Sequence, residues 1–379
     1  MNTLPDFSEA DLLGEILDWV RIESPTFAPE RVERMQAHAA DSLRPLGFSV
    51  ERLPGGNGLA GCTVCRRPGS GDAPALLVIG HLDTVHPVGT LDGPLPIRRE
   101  GDRCYGPGIY DMKAGIVMAF AALKALVAQG RLDRSVTVLL NGDEEVGSPV
   151  SRALIEREAR RHAHVLIPEP AFLETGEVTT GRHAFHRYTI ETHGRPAHSG
   201  WTNKEGRSAI RVMAQIIEAL EDRSDFEAGP TYSVGVVGGG RWVNCVPKSC
   251  RAEVLCVARS DEKSAEIGRV MAELEGERHG VRISVEKGPV RPLWTAGKGT
   301  LALYERARAI AGEIGFDLPH GQHGGGSDGN FTGVLGVPTL DGLGAMGHGA
   351  HTTEERILIS SLVPRTKVLA GLMADPGRV

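Results

Sequence analysis

The sequence predicts an α/β protein into which a ferredoxin-like α+β domain is inserted. The chain has 379 residues, more than the roughly 250 to 300 at which a single core usually stops growing. Helical and apolar strand-like segments alternate as far as residue 177, as in a sheet flanked by helices. From residue 178 to 289 the predicted order is β-α-β-β-α-β, the ferredoxin-like order. We therefore predict one domain from residues 1–177 and 290–379, and an inserted domain from residues 178–289.

The composition argues against binding to nucleic acid or to a membrane. The formal net charge is −6 and the isoelectric point is about 6.2, so no basic surface is expected. Residues Met1 to Asp11 lack the basic and apolar regions of a signal peptide, and no stretch approaches 18 continuous apolar residues. We expect a cytoplasmic protein.

The cysteines are scattered along the chain, unlike the cysteines of a disulfide framework. The pair Cys62-x-x-Cys65 could be a redox site or half of a zinc site. The segment Gly61 to Cys65 alternates as a strand does, however, and no second Cys-x-x-Cys follows it. We expect buried thiols, with a thiol enzyme as the alternative.

The first domain opens with a helix that Ser8 is predicted to cap, because apolar residues at helical spacing follow it. Residues 86–104 are rich in proline and glycine and predict a surface excursion. The other predicted helices are Glu30 to Leu43, Ala114 to Gln129 and Ser151 to Arg161, and the predicted strands are Phe48 to Arg52, Gly61 to Cys65, Ala75 to Ile79, Val136 to Leu140 and His164 to Ile167.

The inserted domain and the C-terminal part have their own predicted elements. In the inserted domain these are strands at Tyr188 to Thr192, Thr231 to Val237, Lys248 to Val257 and Val281 to Glu286, with helices at Ser208 to Leu220 and Glu262 to Glu275. In the C-terminal part they are helices at Thr300 to Ile314 and Ile359 to Leu372, a short strand near Val337 to Leu340, and loops at Gly324 to Gly329 and Gly347 to Thr353.

Polar side chains follow three of the predicted strands directly: His81, then Glu144 with Glu145, then Glu169. Open α/β sheets bind their ligands at the carboxyl ends of strands. Taken singly, His81 could be an ordinary strand-end histidine and the glutamates could be solvated loop acids. For three such strand ends in succession, those separate explanations would all have to hold by coincidence.

Asp111 and His351 complete a set of possible metal ligands with His81, Glu145 and Glu169. Two imidazoles and three carboxylates suit zinc or a comparable divalent ion better than calcium. They are enough for two ions that share a bridging carboxylate, which predicts a two-metal hydrolytic site. For Asp111 alone, the alternative is a cap on the helix that follows it.

Six motifs together resemble the zinc-dependent aminoacylase and carboxypeptidase superfamily, which includes acetylornithine deacetylase, succinyl-diaminopimelate desuccinylase and bacterial glutamate carboxypeptidase. The resemblance covers nearly the whole chain and is closest to the glutamate carboxypeptidase branch. The motifs are Gly80-His81-Leu82-Asp83-Thr84-Val85, Tyr105-Gly106-Pro107-Gly108-Ile109-Tyr110-Asp111-Met112-Lys113, Gly142-Asp143-Glu144-Glu145-Val146-Gly147-Ser148, Pro168-Glu169-Pro170, Gly325-Gly326-Ser327-Asp328 and Gly349-Ala350-His351-Thr352-Thr353-Glu354.

The resemblance implies a role for each candidate residue and two Zn²⁺ per subunit, with Co²⁺ or Mn²⁺ as alternatives. Asp83 would hydrogen-bond the His81 imidazole and fix its tautomer. Glu144 would take a proton from the metal-bound water and pass it to the leaving amine. The implied ligands are Asp111 as the bridge, His81 and Glu169 on one ion, and Glu145 and His351 on the other.

In the inserted domain, His198 resembles the family histidine that reaches the partner subunit's active site and stabilises the oxyanion, which implies a homodimer. Asn244 and Arg291 resemble residues that contact the substrate, Arg291 by gripping its carboxylate. Family members commonly carry an arginine thirteen residues after that asparagine, but this chain has Val257 there. Arg259 would face the same side of an extended strand and could substitute.

The resemblance therefore implies a three-layer α/β/α di-zinc hydrolase domain with a ferredoxin-like lid and dimerisation domain. We expect hydrolysis of an amide bond next to an amino acid with a free carboxylate, as in a glutamate carboxypeptidase. The alternatives are an N-acyl-amino-acid deacylase and a dipeptidase. The expected substrate is an acyl-amino acid or a short peptide. From a different class, a non-catalytic homologue would have lost a ligand or Glu144, and none is missing.

Overall fold

The computed structural model describes residues 4–71, 73–172, 175–375 and 377. The outer limits of the predicted first domain, residues 1 and 379, lie outside this range. The α-helices of the described residues are α1 (Glu9–Val20), α2 (Pro29–Leu43), α3 (Ala114–Ala128), α4 (Arg152–Ala159), α5 (Ala209–Glu221), α6 (Asp261–Ala272), α7 (Lys298–Glu313), α8 (Gly329–Gly333) and α9 (Leu362–Ala374). None of them is long and apolar enough to span a lipid bilayer.

The described strands are β1 (Ser49–Leu53), β2 (Cys62–Arg67), β3 (Leu76–His81), β4 (Arg98–Glu100), β5 (Arg103–Tyr105), β6 (Val136–Asn141), β7 (His164–Leu166), β8 (Val178–Arg182), β9 (Ala184–His193), β10 (Thr231–Gly239), β11 (Ser249–Ala258), β12 (Gly276–Arg278), β13 (Val281–Arg291), β14 (His320–His323), β15 (Thr339–Leu340), β16 (Gly347–His348) and β17 (Arg356–Leu358).

The chain forms two compact units. The first comprises residues 1–182, 294–323 and 327–379, and it contains a six-stranded sheet in the order β1-β2-β6-β3-β7-β15. Strand β3 pairs in parallel with both β6 and β7. The carboxyl ends of these three strands therefore meet at one edge of the sheet, which is where ligands bind in such folds.

Helices cover both faces of this sheet. Successive residues of its strands belong to two different apolar clusters, one on each face. Val78 and Val138 pack in the cluster that contains α3 and α9, whereas Ile79 and Leu139 pack in the cluster that contains α4. The period-two alternation of a strand produces this division. The three-layer α/β/α arrangement agrees with the predicted fold class.

The second unit comprises residues 183–293 and 324–326. Its antiparallel sheet has the order β10-β11-β9-β13-β12, and helices α5 and α6 pack against that sheet around one apolar cluster. Apart from the short strand β12, the chain order is the predicted β-α-β-β-α-β. Strand β10 lies at the sheet edge, where Val236 and Val237 are 56% and 57% exposed.

The chain leaves the first unit after Arg182 and re-enters it at Trp294. These two residues form an antiparallel bridge, in which each backbone N–H donates to the carbonyl of the other at 2.8 and 3.0 Å. The ends of the inserted segment are therefore held side by side within the first unit.

Residues 86–104, predicted as a surface excursion, also contain regular structure. They include β4 and most of β5, and β5 pairs with β17 far along the chain. These strands are three residues long and rich in arginine. They lack the apolar alternation by which a strand is recognised.

Candidate metal centre

His81 ends strand β3 and is 1% exposed. Its Nδ1 lies 2.9 Å from the backbone carbonyl of Asp83, which can only accept a hydrogen bond. Nδ1 therefore carries a proton, and Nε2 faces the carboxylates of Asp111 at 3.0 Å and Glu169 at 3.7 Å. This is the orientation that a histidine needs to offer Nε2 to a metal ion.

The Asp111 carboxylate lies between two imidazoles. One oxygen is 3.0 Å from His81 Nε2 and the other is 3.3 Å from His351 Nε2. His351 Nε2 is also 3.0 Å from Glu145 Oε2. Asp111 lies in an irregular turn before α3, and the helix cap position is Lys113. The alternative interpretation of Asp111 as a helix cap is therefore wrong.

The five predicted ligand residues meet at this edge of the sheet. Donor atoms of His81, Asp111 and Glu145 all lie within 4.8 Å of one another. Glu169 approaches from the loop after β7, and its side chain is 7% exposed. His351 comes from the loop between β16 and β17 and is the exposed member, with 54% of its side chain accessible. Its backbone has a φ of 65°.

The electrostatics of the cluster indicate a deficit of positive charge. Burial, and then the nearby Asp111 carboxylate, raises the pKa of Glu145 to about 7. The same two causes raise the pKa of Glu169 well above its usual range. Hydrogen bonds to Asp111 and Glu145 raise the pKa of His351 to about 11. A divalent cation would supply the missing charge, and a nitrogen and oxygen donor set fits zinc or a similar ion.

Asp83 is completely buried and connects the loop after β3 to the loop after β6. Its carboxylate accepts hydrogen bonds from the backbone N–H groups of Glu144 and Glu145 at 3.2 and 3.3 Å. Thr26 Oγ1 donates to it at 2.9 Å. The carboxylate is 3.5 Å from His81 Nδ1, farther than the Asp83 carbonyl. Asp83 therefore also fixes the turn that carries the two glutamates, which the sequence did not predict.

Asp143 stabilises the same turn from its other side. Its carboxylate accepts hydrogen bonds from the backbone N–H groups of Val150 at 2.6 Å and Ser151 at 3.1 Å. Its carbonyl accepts the N–H of Ser148 at 2.8 Å. Glu144, which is 8% exposed, is thus presented on a turn that is fixed at both ends.

The Gly-Gly-Ser-Asp motif supports the carboxyl end of β6. Asp328 accepts hydrogen bonds from Ser148 Oγ at 2.6 Å and Asn141 Nδ2 at 2.5 Å. In the second unit, a Cβ atom on Gly326 would lie only 2.8 Å from Cδ of Arg291. The glycine therefore permits the close approach of the arginine side chain.

The candidates of the inserted domain lie in the second unit. His198 is exposed, stacks on Trp201 with ring centroids 4.5 Å apart, and accepts the N–H of Gly200 on Nδ1 at 3.1 Å. Asn244 is exposed, and its carbonyl accepts the N–H of Ser199 at 3.0 Å. Arg291 ends β13 and is 4% exposed.

Arg259 does not lie on a strand, because β11 ends at Ala258. Arg259 therefore does not share a strand face with Val257, and the expectation that it does is wrong. Its guanidinium donates to the backbone carbonyls of Phe226, at 2.8 Å, and Glu227. These bonds hold the loop before β10.

The Cys-x-x-Cys pair lies in β2 with both thiols buried, as expected. Burial raises the pKa of Cys65 to about 11 and that of Cys62 further still. A reactive thiol needs a lowered pKa and access to solvent. This environment is the opposite of the one that a thiol enzyme requires.

Sequence reasoning missed Glu355 and His86, whose side chains lie 2.5 Å apart and are 1% and 8% exposed. Glu355 directly follows the last quoted motif, and His86 follows the first. Their proximity to those motifs was the available signal. The pairing itself joins positions 269 residues apart and leaves no local pattern.

Comparisons with known proteins point to one family. The model of the family described as Peptidase family M20/M25/M40 matches residues 77–375. Carboxypeptidase G2 from Pseudomonas sp. (strain RS-16) is 28% identical over 365 residues, which are 94% of this chain and 87% of that protein. A succinyl-diaminopimelate desuccinylase from Gluconobacter oxydans (strain 621H) is 27% identical over 362 residues, 90% and 92% of the two chains.

A solved structure shows the same fold. The tripeptidase from Staphylococcus aureus subsp. aureus Mu50 superimposes with a TM-score of 0.76 at 21% identity, over 98% of this chain and all of that chain. The family model covers well over half of the sequence. The predicted family, the fold class and the assignment as a metallopeptidase or amidohydrolase that uses a divalent metal are confirmed. This chain belongs to peptidase family M20/M25/M40.

Proposed function

We propose that this enzyme hydrolyses the amide bond next to an amino acid that keeps a free carboxylate, in the manner of a glutamate carboxypeptidase. The observation that carries the proposal is the convergence of two imidazoles and three carboxylates beside the buried turn of Glu144. The similarity to a protein named carboxypeptidase G2 over 94% of the chain supports this choice of reaction.

We assign the centre two zinc ions, with Co²⁺ or Mn²⁺ as alternatives. Asp111 would bridge the ions, because its two oxygens already face different imidazoles. When bound, such ions lower the pKa of a coordinated water and polarise a carbonyl oxygen. The remaining assignments are His81 and Glu169 to one ion, and Glu145 and His351 to the other.

Glu144 is the proposed general base. It adjoins the ligand Glu145 on the turn that Asp83 and Asp143 hold. It would accept a proton from the attacking water and deliver it to the nitrogen of the leaving amine. Both transfers use one carboxylate, so its position relative to the scissile bond must be fixed.

The inserted domain, residues 178–289 as predicted, is proposed as a lid and dimerisation domain. Because His198 Nδ1 accepts a hydrogen bond, its neutral ring carries the proton on Nε2, which can donate to an oxyanion. The exposed apolar residues of edge strand β10 favour pairing with a second copy of the chain. Arg291 would bind the substrate carboxylate, and Asn244 would contact the substrate nearby.

The second candidate function is an N-acyl-amino-acid deacylase, or a dipeptidase. The similarity to a protein named succinyl-diaminopimelate desuccinylase, over nearly the same share of the chain, favours the deacylase. The two functions differ in the group on the acyl side. Rates on acyl-glutamates and dipeptides, compared with rates on N-acetyl amino acids, would discriminate between them, with chelation and zinc restoration as the control.

The test of the proposed base is the substitution Glu144→Gln. The amide keeps the size of the side chain but cannot accept the proton, so kcat should fall by about 10²- to 10⁴-fold. Zinc content and thermal stability should match those of the wild type. Glu156→Gln is the control, since Glu156 lies on α4 and pairs with Arg152. Substantial turnover by Glu144→Gln would remove Glu144 from the reaction.

A further inference from the structure

One buried carboxylate, that of Glu355, holds the loop that carries Asp111. Its Oε1 accepts the backbone N–H groups of Tyr110 at 2.9 Å and Asp111 at 3.1 Å. Its Oε2 accepts the N–H of Gly108 at 3.0 Å. Gly108 has a φ of 68°, a conformation that turns its N–H toward the carboxylate at little steric cost. The backbone of Asp111, and that of the residues just before it, is thus fixed by Glu355.

The same carboxylate also reaches the loop that follows His81. His86 lies five residues beyond His81, and its Nε2 is 2.5 Å from Glu355 Oε2. Both side chains are buried, so solvent competes little for this bond. The loop after β3 is therefore tied to the loop before α3 through the His86 and Glu355 side chains.

Glu355 belongs to the third ligand loop, four residues after His351. Its N–H donates to the carbonyl of Thr352 at 3.3 Å, and its carbonyl accepts the N–H of Gly106 at 3.3 Å. Glu355 therefore contacts, by side chain or backbone, the loop that follows His81 and the two loops that carry Asp111 and His351.

We propose that Glu355 is a positioning residue that sets the spacing of these three ligands. An ionised carboxylate has only acceptor sites, and here four donors use both of its oxygens. Burying such a charge is unfavourable unless every site is paired. The inference rests on the ligand set proposed above, and it concerns metal binding rather than the choice of substrate.

The substitution Glu355→Gln separates this role from simple filling of space. Each oxygen of Glu355 accepts hydrogen bonds from two N–H donors. In glutamine one oxygen becomes an NH₂ group, which is itself a donor and would face two N–H donors without being able to accept from them. The matched control is Glu354→Gln, because Glu354 is exposed and its side chain pairs with Arg98 at 3.5 Å. Both variants keep the volume of the side chain and remove one negative charge.

The experiment measures Zn²⁺ affinity of the metal-free protein by competition with a chromophoric chelator, and the visible absorption spectrum of the Co²⁺-loaded protein. Glu355→Gln should bind Zn²⁺ about 10- to 100-fold more weakly than the wild type and show an altered Co²⁺ spectrum. Glu354→Gln should match the wild type in both. Wild-type affinity and spectrum in a folded Glu355→Gln protein would overturn the proposal.

Two further variants keep the outcome interpretable. If Glu355→Gln does not fold, His86→Phe takes its place, since it removes one of the four bonds and keeps a planar ring. It should weaken Zn²⁺ binding by less than Glu355→Gln would, and wild-type binding by it would overturn the proposal. His351→Ala tests the ligand set itself, and undiminished zinc binding by this variant would reject the set. If zinc binding is weakened in His351→Ala but unchanged in the Glu355 or His86 variant, only the positioning role is rejected.

Discussion

Asp111 carries the lowered pKa among the carboxylates of the candidate metal centre. Burial opposes its ionisation, but hydrogen bonds from His351 and His81 outweigh it and hold the pKa of Asp111 below its usual range. Burial, and then this charge, raises the pKa values of the neighbouring Glu145 and Glu169. Without a cation, these shifts favour protons on the imidazoles and on the outer carboxylates. Uptake of a divalent ion then has to release protons.

Arg291 offers the sharpest residue-level test of substrate recognition. Arg291→Ala should raise KM and lower kcat, and so reduce kcat/KM by about 10- to 100-fold, as expected for loss of a charge-assisted hydrogen bond. The loss should be much smaller on a substrate whose carboxylate is replaced by a carboxamide. Steady-state kinetics on the matched pair of substrates measure both effects.

Arg259→Ala is the control for Arg291→Ala. The Arg259 guanidinium is engaged by the carbonyls of Phe226 and Glu227, so its removal should leave kcat/KM on the carboxylate substrate unchanged. Because Arg291 is buried, the melting temperature of each variant is measured in parallel. An unchanged kcat/KM for Arg291→Ala on the carboxylate substrate would exclude the anchor role.

The sequence predicted the members of the candidate site far better than their supports. His81 ends a strand, and Glu145 and Glu169 lie within four residues of strand ends, so local pattern reveals them. Glu355 accepts backbone N–H groups from a distant segment and Asp143 accepts them from the end of its own turn, and any acid looks alike in these roles until the chain is folded. Supporting residues of this kind are defined by tertiary contacts rather than by local sequence.

At the scale of a single element, β7 carries a buried histidine that should make stability depend on pH. His164 is 2% exposed, and neither of its ring nitrogens has a hydrogen-bond partner among the described residues. Burial, and then the charge of Arg134, lowers its pKa to about 4 from 6.5. The folded protein thus favours neutral His164, whereas the unfolded chain binds its proton near pH 6.5. The stability is fully present above that pH and is lost as pH falls toward 4.

His164→Leu should remove this dependence. Between pH 7 and pH 5, the free energy of unfolding of the wild type should fall by about 2 kcal/mol more than that of the variant. Urea denaturation of both proteins at the two pH values measures the difference. Both are stripped of metal first, because metal loss at low pH would add its own effect. Equal losses in the two proteins would show that His164 titrates normally.

Elements could be predicted where burial imposes a pattern. Strand β6 was expected at Val136 to Leu140 and runs one residue further, because it is buried at every position and reads as a continuous apolar run. Strands β14 and β16 were not predicted. They are two to four residues long and rich in histidine and glycine, so their pairing rather than their composition defines them.

For the whole molecule, the proposed homodimer can be tested by subunit complementation. Glu144→Gln and His198→Ala should each be inactive alone as homodimers. If His198 acts in the partner's site, a mixed dimer regains one site with both residues intact. Random reassociation of equal amounts should then restore about one quarter of the wild-type activity, since half of the dimers are mixed and each has one working site of two.

The activity of the mixture after subunit exchange is compared with that of each variant alone, and mass is measured by light scattering. His193→Ala mixed with Glu144→Gln is the control. His193 belongs to the same domain and pairs with Glu191 at 3.2 Å, so this variant should already be active alone. A complete absence of restored activity in exchanged dimers would place His198 in its own subunit's site or outside the reaction.

At this scale the order of secondary structure was the most informative signal. The β-α-β-β-α-β order of the inserted domain was visible because its strands alternate and its helices are amphipathic. The sequence did not show how the chain returns to the first unit. The bridge between Arg182 and Trp294 and the pairing of β5 with β17 link distant positions, and no local periodicity reports them.

That bridge has a consequence for how the chain folds and for how it can be rebuilt. The first unit must bring residues 182 and 294 together, and the entropy of closing such a loop rises only slowly with its length. If segment 183–293 folds on its own first, its two ends already lie side by side. Most of the entropy of closing the loop is then lost before the first unit forms. The same adjacency means that the segment can be exchanged for another domain, or for a short turn, without redirecting the chain of the first unit on either side of it.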